Sequence, residues 1–68
     1  MNVLLNGEPV ELPDGCTAAR AVAESGVGDA ERGVAVALDG EVVPRAQWDT
    51  TVLRDGQRVE VVQAVQGG

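Results

Sequence analysis

Lysine, histidine, phenylalanine and tyrosine are missing from this 68-residue chain, and cysteine, methionine and tryptophan occur once each. Without lysine the chain carries neither a Schiff-base former nor an isopeptide acceptor; all five basic residues are arginine. Without histidine, the single thiol of Cys16 has no imidazole to act as its base, and a place near a helix N-terminus is all that favours its reactivity. A lone cysteine beside a turn is more often a small packed residue. It closes no internal disulfide and rules out a four-thiolate iron–sulfur cluster. Together with the lack of a basic and then apolar leader, it reads as a reducing, cytoplasmic setting.

Long apolar runs are missing as well. Stretches such as Val34 to Leu38 fall far short of the roughly 20 residues that cross a bilayer. Positive charge is scarce, with eleven Asp and Glu leaving a formal net charge of -6. That sign repels phosphate, so neither nucleic acid nor an anionic membrane is expected as a ligand. The acids are scattered over turns and strand faces without ligand spacing, so solvation explains them better than a metal site or an acid–base pair. Neither a metal nor a cofactor is expected.

Hydrophobic residues make up 44% of the chain but aromatics only 1%. The core must be built from Val, Leu and Ala around Trp48, whose expected role is packing rather than anchoring a partner. At this size only about 60% of the unfolded chain's surface can be buried, which leaves one thin-cored domain with no room for a deep catalytic cleft.

The order of elements is legible from turns and periodicity. Val3, Leu4 and Leu5 lead into Asn6-Gly7, a pair suited to a type I′ turn, and Val10 and Leu12 then alternate with Pro9 and Glu11. Pro9 has no N–H to give a ladder and points to an edge or a strand end. Thr17 is a fitting N-cap for a short helix with Ala18, Ala21 and Val22 on one face, ended by Ser25-Gly26. Val27 to Gly33 lacks a period and reads as a loop. A second hairpin follows, Val34 to Leu38 and Glu41 to Val43 about Asp39-Gly40. Pro44 suits the first position of a helical turn carrying Arg45, Ala46, Gln47 and Trp48. After the Asp55-Gly56 turn a last strand runs from about Arg58 to Val65. Its two largely apolar faces, Val59 and Val61 against Val62 and Ala64, place it centrally, able to lie parallel to the first strand. The expectation is an α+β domain over residues 1–65, a mixed sheet with one main helix across it, and a flexible tail over 66–68.

That tail, Gln66, Gly67 and Gly68, reaches roughly 10 Å beyond a fold when extended. Two residues without Cβ can enter a channel too narrow for others. An α-carboxylate ionises near about pH 3.5 and is a poor target for nucleophiles at neutral pH, so using it chemically requires activation, for example by ATP. The chain has no phosphate-binding glycine loop, so another protein must supply that step. A terminal Gly-Gly taken alone reads as a frayed end.

Val43-Pro44-Arg45, then Gln47-Trp48, Asp55-Gly56, Val59-Glu60-Val61-Val62 and terminal Gly67-Gly68, in this order and spacing, resemble the ThiS sulfur carriers of thiamine biosynthesis. The resemblance spans almost the whole chain. It departs at Gln57, where similar sequences often carry Asp, and in the alanine-rich helix face. It implies a ubiquitin-like β-grasp fold and a protein that is a co-substrate, not an enzyme. It further implies that Gly68 is adenylated by an adenylyltransferase of the ubiquitin-activating type and converted to a thiocarboxylate, with Gln66 and Gly67 recognised in the tail. The sulfur would come from a cysteine desulfurase persulfide and go to thiazole synthase, and any ATP, zinc or pyridoxal phosphate would belong to those partners. Carriers for molybdopterin or cysteine synthesis resemble the chain in fold and terminal glycines, and an interaction module with an inert tail belongs to a different class. Exposed Val and Leu on the sheet are the expected docking surface for the activating enzyme.

Overall fold

A computed structural model describes residues 1–26 and 33–63. Five strands and one helix follow in the order β1 (Asn2–Leu5), β2 (Glu8–Glu11), α1 (Ala18–Glu24), β3 (Val34–Leu38), β4 (Glu41–Val43) and β5 (Arg58–Gln63), with a 3-10 turn over Arg45–Gln47 before β5. The sheet order is β2-β1-β5-β3-β4. β1 and β5 run parallel, and the other neighbours are antiparallel. The expected loop between Val27 and Gly33 lies almost wholly outside the described residues, as do Ala64, Val65 and the tail.

Both hairpins turn where the sequence places them. Asn6 and Gly7 have φ of 51° and 84°, and Asp39 and Gly40 have 50° and 86°. Two successive positive φ angles are what a type I′ turn demands, and its twist matches that of the strands it joins. Pro9 sits opposite Leu4 on the edge strand β2. Counting the antiparallel alternation back from the two-residue turn makes this a non-hydrogen-bonded pair. The missing N–H of Pro9 therefore faces the free edge, where it hinders pairing with another chain.

The helix starts after Thr17, as its residue type suggests, but the hydroxyl of Thr17 caps nothing. Thr17 is instead extended and bridges Val52. The first helical N–H groups are taken by backbone carbonyls of the segment after β4: Ala18 donates to Thr51 (2.9 Å) and Ala19 to Trp48 (3.1 Å). These bonds satisfy orphan donors that a side-chain cap would otherwise serve. At the other end, Ser25 closes the helix through its N–H to Ala21 and its hydroxyl to Val22.

Ala18, Ala21 and Val22 form the buried helix face and pack against Val3, Leu5, Val36, Leu38, Val59 and Val61 of the sheet, with Leu12, Val43, Trp48 and Leu53 closing the core. Small alanines let the seven-residue helix lie close to the sheet. Pro44 precedes the 3-10 turn rather than forming its first residue. Trp48 ends that turn 6% exposed, and its indole N–H donates to the carbonyl of Val43 at 3.0 Å.

β5 is central, but not because both its faces are covered. Val59 and Val61 are buried while Val62 is 59% exposed. The described helix covers one face of the sheet. The face shared by Leu4, Ala35, Val42 and Val62 is open.

Candidate functional site

The residues singled out for chemistry, Gln66, Gly67 and Gly68, lie outside the described residues. The structure does show what they are attached to. β5 is held on both edges, by β1 on one side and β3 on the other, and its last residue, Gln63, is opposite Val34. Gly68 is the fifth residue after Gln63 in the sequence, so covalent geometry keeps the terminal residue within about 18 Å of the strand end.

The open sheet face surrounds this strand. Leu4 is 39% exposed, Val42 70% and Val62 59%; Ala35 and Ala37 lie between Val62 and Val42 through the pairs Ala35–Val62 and Ala37–Val42, and the face also carries Arg58, opposite Leu4, and Glu60, opposite Ala37. Water-facing apolar residues are ordinary singly; grouped on one face they mark an interaction surface.

Other candidates take structural places. Cys16 is partly buried against the core; its N–H donates to Pro13 and its carbonyl accepts from Leu53. A groove of about 960 Å³ runs between the β3–β4 turn and residues 51–57, lined by Asp39, Glu41, Gln47 and Arg54 among others, and Cys16 is not part of its wall. Trp48 is enclosed in the core with the Arg45 guanidinium 5.3 Å from its ring centre, a cation–π distance. Among the described residues no cluster of three His, Cys, Asp or Glu could hold a metal ion, and no helix is long and apolar enough to cross a membrane.

Two polar side chains matter more than the sequence suggests. Gln57 is buried: its Oε1 accepts from the N–H of Arg54 (2.9 Å) and its Nε2 donates to Oδ2 of Asp39 (3.3 Å). Asn6 bonds through its side-chain amide to both backbone groups of Val61. The Asn6-Gly7 pair signals a turn, and nothing in its local pattern points to a partner 55 residues away.

A five-stranded mixed sheet with parallel central β1 and β5 and one helix across one face is a β-grasp of the ubiquitin-like class, here with a strand at its centre leading to a diglycine terminus. The sequence pattern of the ThiS family matches residues 3–68, and the chain belongs to the ThiS family. The sulfur carrier protein ThiS of Escherichia coli (strain K12) is 29% identical over 68 residues, all of both chains. The crystal structure of the thiamine biosynthesis protein ThiS from Geobacter metallireducens superposes with a TM-score of 0.81 at 33% identity over the whole of both chains. A solution structure of a thiamine biosynthesis protein from the same organism gives 0.78 at 34% identity, covering all of this chain and 88% of that one. Fold and family together make this chain a sulfur carrier of thiamine biosynthesis.

Proposed function

We propose that the carboxylate of Gly68 is the group that carries the sulfur. The observation behind this reading is the family match running through residue 68, onto two terminal glycines that follow the central strand. The carboxylate attacks the α-phosphorus of ATP and pyrophosphate leaves; the outer sulfur of a protein persulfide then attacks the acyl carbon of the adenylate and AMP leaves, and a thiol attacks the donor-side sulfur of the resulting acyl disulfide, releasing the thiocarboxylate and forming a disulfide. The adenylyltransferase, of the ubiquitin-activating type, and the persulfide donor are separate proteins, and thiazole synthase receives the sulfur. Gly67 and Gln66 lead the carboxylate into each partner's channel, and absence of a Cβ at Gly67 and Gly68 permits a narrow one. The open face with Leu4, Val42 and Val62 docks the activating enzyme.

Intact mass spectrometry after incubation with ATP, the adenylyltransferase, a persulfide source and a thiol reductant tests this. The expected result is a mass gain matching exchange of one oxygen for sulfur, located at Gly68 by C-terminal fragments and lost when Gly68 is deleted. No gain, with an adenylyltransferase active on another carrier, would instead favour an interaction module with an inert tail.

A further inference from the structure

Where β1 ends, the parallel ladder to β5 does not. Leu4 donates its N–H to Gln57 (2.9 Å) and Asn6 donates its N–H to Val59 (2.8 Å). In a continuing parallel ladder the next rung would join the carbonyl of residue 6 to the N–H of Val61, and the N–H of residue 8 to the carbonyl of Val61. The backbone has already left at the type I′ turn, where Asn6 has φ 51°. The Asn6 side chain replaces that rung. Its Oδ1 accepts from the N–H of Val61 at 2.8 Å and its Nδ2 donates to the carbonyl of Val61 at 3.1 Å. A carboxamide is a peptide group on a one-carbon stem, so it offers the same donor and acceptor.

We propose that Asn6 is a positioning residue for the carrier reaction. It extends the hold on the β1 edge of β5 from Val59 to Val61, and so fixes the strand end from which the chain continues toward Gly68. The proposal rests on the sulfur-carrier reading of Gly68 above. Few side chains meet both demands at this position. Asn tolerates the left-handed turn, as Asp and Gly do. Asp lacks the donor for the Val61 carbonyl, and Gly lacks both groups. Gln is one carbon longer and less suited to positive φ. Held on both edges as far as Val61 and by β3 on to Gln63, the strand presents its continuation in fewer directions, so less freedom is lost when the terminus enters a partner's channel. The consequence is a KM effect: once the terminus is seated, the chemistry is the partner's and kcat is unchanged.

The test uses Asn6→Gly and Asn6→Asp, which both retain the turn. Amide hydrogen exchange by NMR reads the hold directly. Val61 exchanges about tenfold faster in Asn6→Gly, which removes the acceptor of its N–H, and by less in Asn6→Asp, whose carboxylate keeps that acceptor but leaves the Val61 carbonyl without its donor, while Glu60 and Val62, turned toward β3 by the ladder's alternation, keep wild-type rates. Pyrophosphate release with ATP and the adenylyltransferase reads function, with KM for the carrier rising several-fold and kcat held. Unchanged Val61 exchange in both variants overturns the clamp, and faster exchange with unchanged KM overturns its positioning role. Wild-type carrier that releases no pyrophosphate overturns the reading of Gly68 and this role with it, while the exchange data still report whether the clamp exists.

Discussion

The indole N–H of Trp48 and the carbonyl of Val43 are joined by a 3.0 Å hydrogen bond that ties the 3-10 turn to the end of β4. The carbonyl of Trp48 in turn accepts from Ala19 at the start of α1. One aromatic residue thus connects β4, the 3-10 turn and the helix in a core otherwise made of small side chains.

Trp48→Phe keeps most of the buried area but leaves the Val43 carbonyl without this donor. The expected cost is about 1–3 kcal/mol. Trp48→Ala adds a cavity and should cost about 3–5 kcal/mol, comparable to the whole stability expected of so small a domain, about 3–10 kcal/mol. Urea denaturation followed by far-UV circular dichroism measures both. A Phe variant as stable as wild type would show that the hydrogen bond contributes nothing.

Gln57 joins the 54–57 turn to the β3–β4 turn. Asp39, which accepts from its Nε2, also accepts from the N–H of Arg58 through Oδ1 (3.1 Å). Gln57→Glu preserves the acceptor for Arg54 but sets a carboxylate against that of Asp39. The variant should lose about 1–3 kcal/mol at neutral pH, a range set by replacing a hydrogen bond with like-charge repulsion. The deficit should shrink in acid, once one carboxyl of the pair takes up a proton and the repulsion is removed. Denaturation midpoints at neutral and acid pH measure it, and a pH-independent deficit would rule out the charge explanation.

The α-amino group of Met1 donates to the carbonyl of Leu12 (2.9 Å) and to Oδ1 of Asp14 (3.1 Å). The Asp14 hydrogen bond chiefly, opposed by desolvation and helped by the charges of Asp14, Asp55 and Glu11, raises its pKa above the ordinary value of about 8. A raised amine pKa stabilises the fold fully below the unfolded value and progressively less as pH rises through the folded one. In a protein with a free Met1 amine, the urea midpoint should fall from pH 8 upward. Asp14→Asn should flatten that fall, and an equal slope in the variant would reject the pairing as its source.

The order of elements along the chain and both hairpins were legible because they rest on local chemistry: paired residues that accept positive φ, alternating apolar positions, and a helix face at i, i+3, i+4. The start of the helix was legible in position but not in mechanism, since the carbonyls of Trp48 and Thr51 that receive its N–H groups come from distant sequence. The apolar outer face of β5 misled for a related reason. Val62 has the character of a buried residue and faces outward, and period-two patterning cannot separate a covered face from an open one. Gln66, Gly67 and Gly68 drew attention by composition and resemblance alone. Asn6 and Gln57 went unread because their partners are set by tertiary register.

The open face separates docking from folding most cleanly. Leu4, Val42 and Val62 are exposed, so Val62→Glu or Val42→Glu should leave the thermal midpoint close to wild type. If this face docks the activating enzyme, each change places a charge in an apolar contact and should weaken binding by about tenfold or more, the usual scale for a central interface residue. Val62→Lys separates desolvation from charge sign: a carrier of net charge -6 gains a positive residue and should still bind worse. Val52 supplies the control, being 55% exposed but bridged to Thr17 outside the sheet. Val52→Glu should bind normally in the same titration calorimetry. Equal weakening at Val52 would point to non-specific repulsion, and no weakening at Val42 or Val62 would move the docking surface off this face.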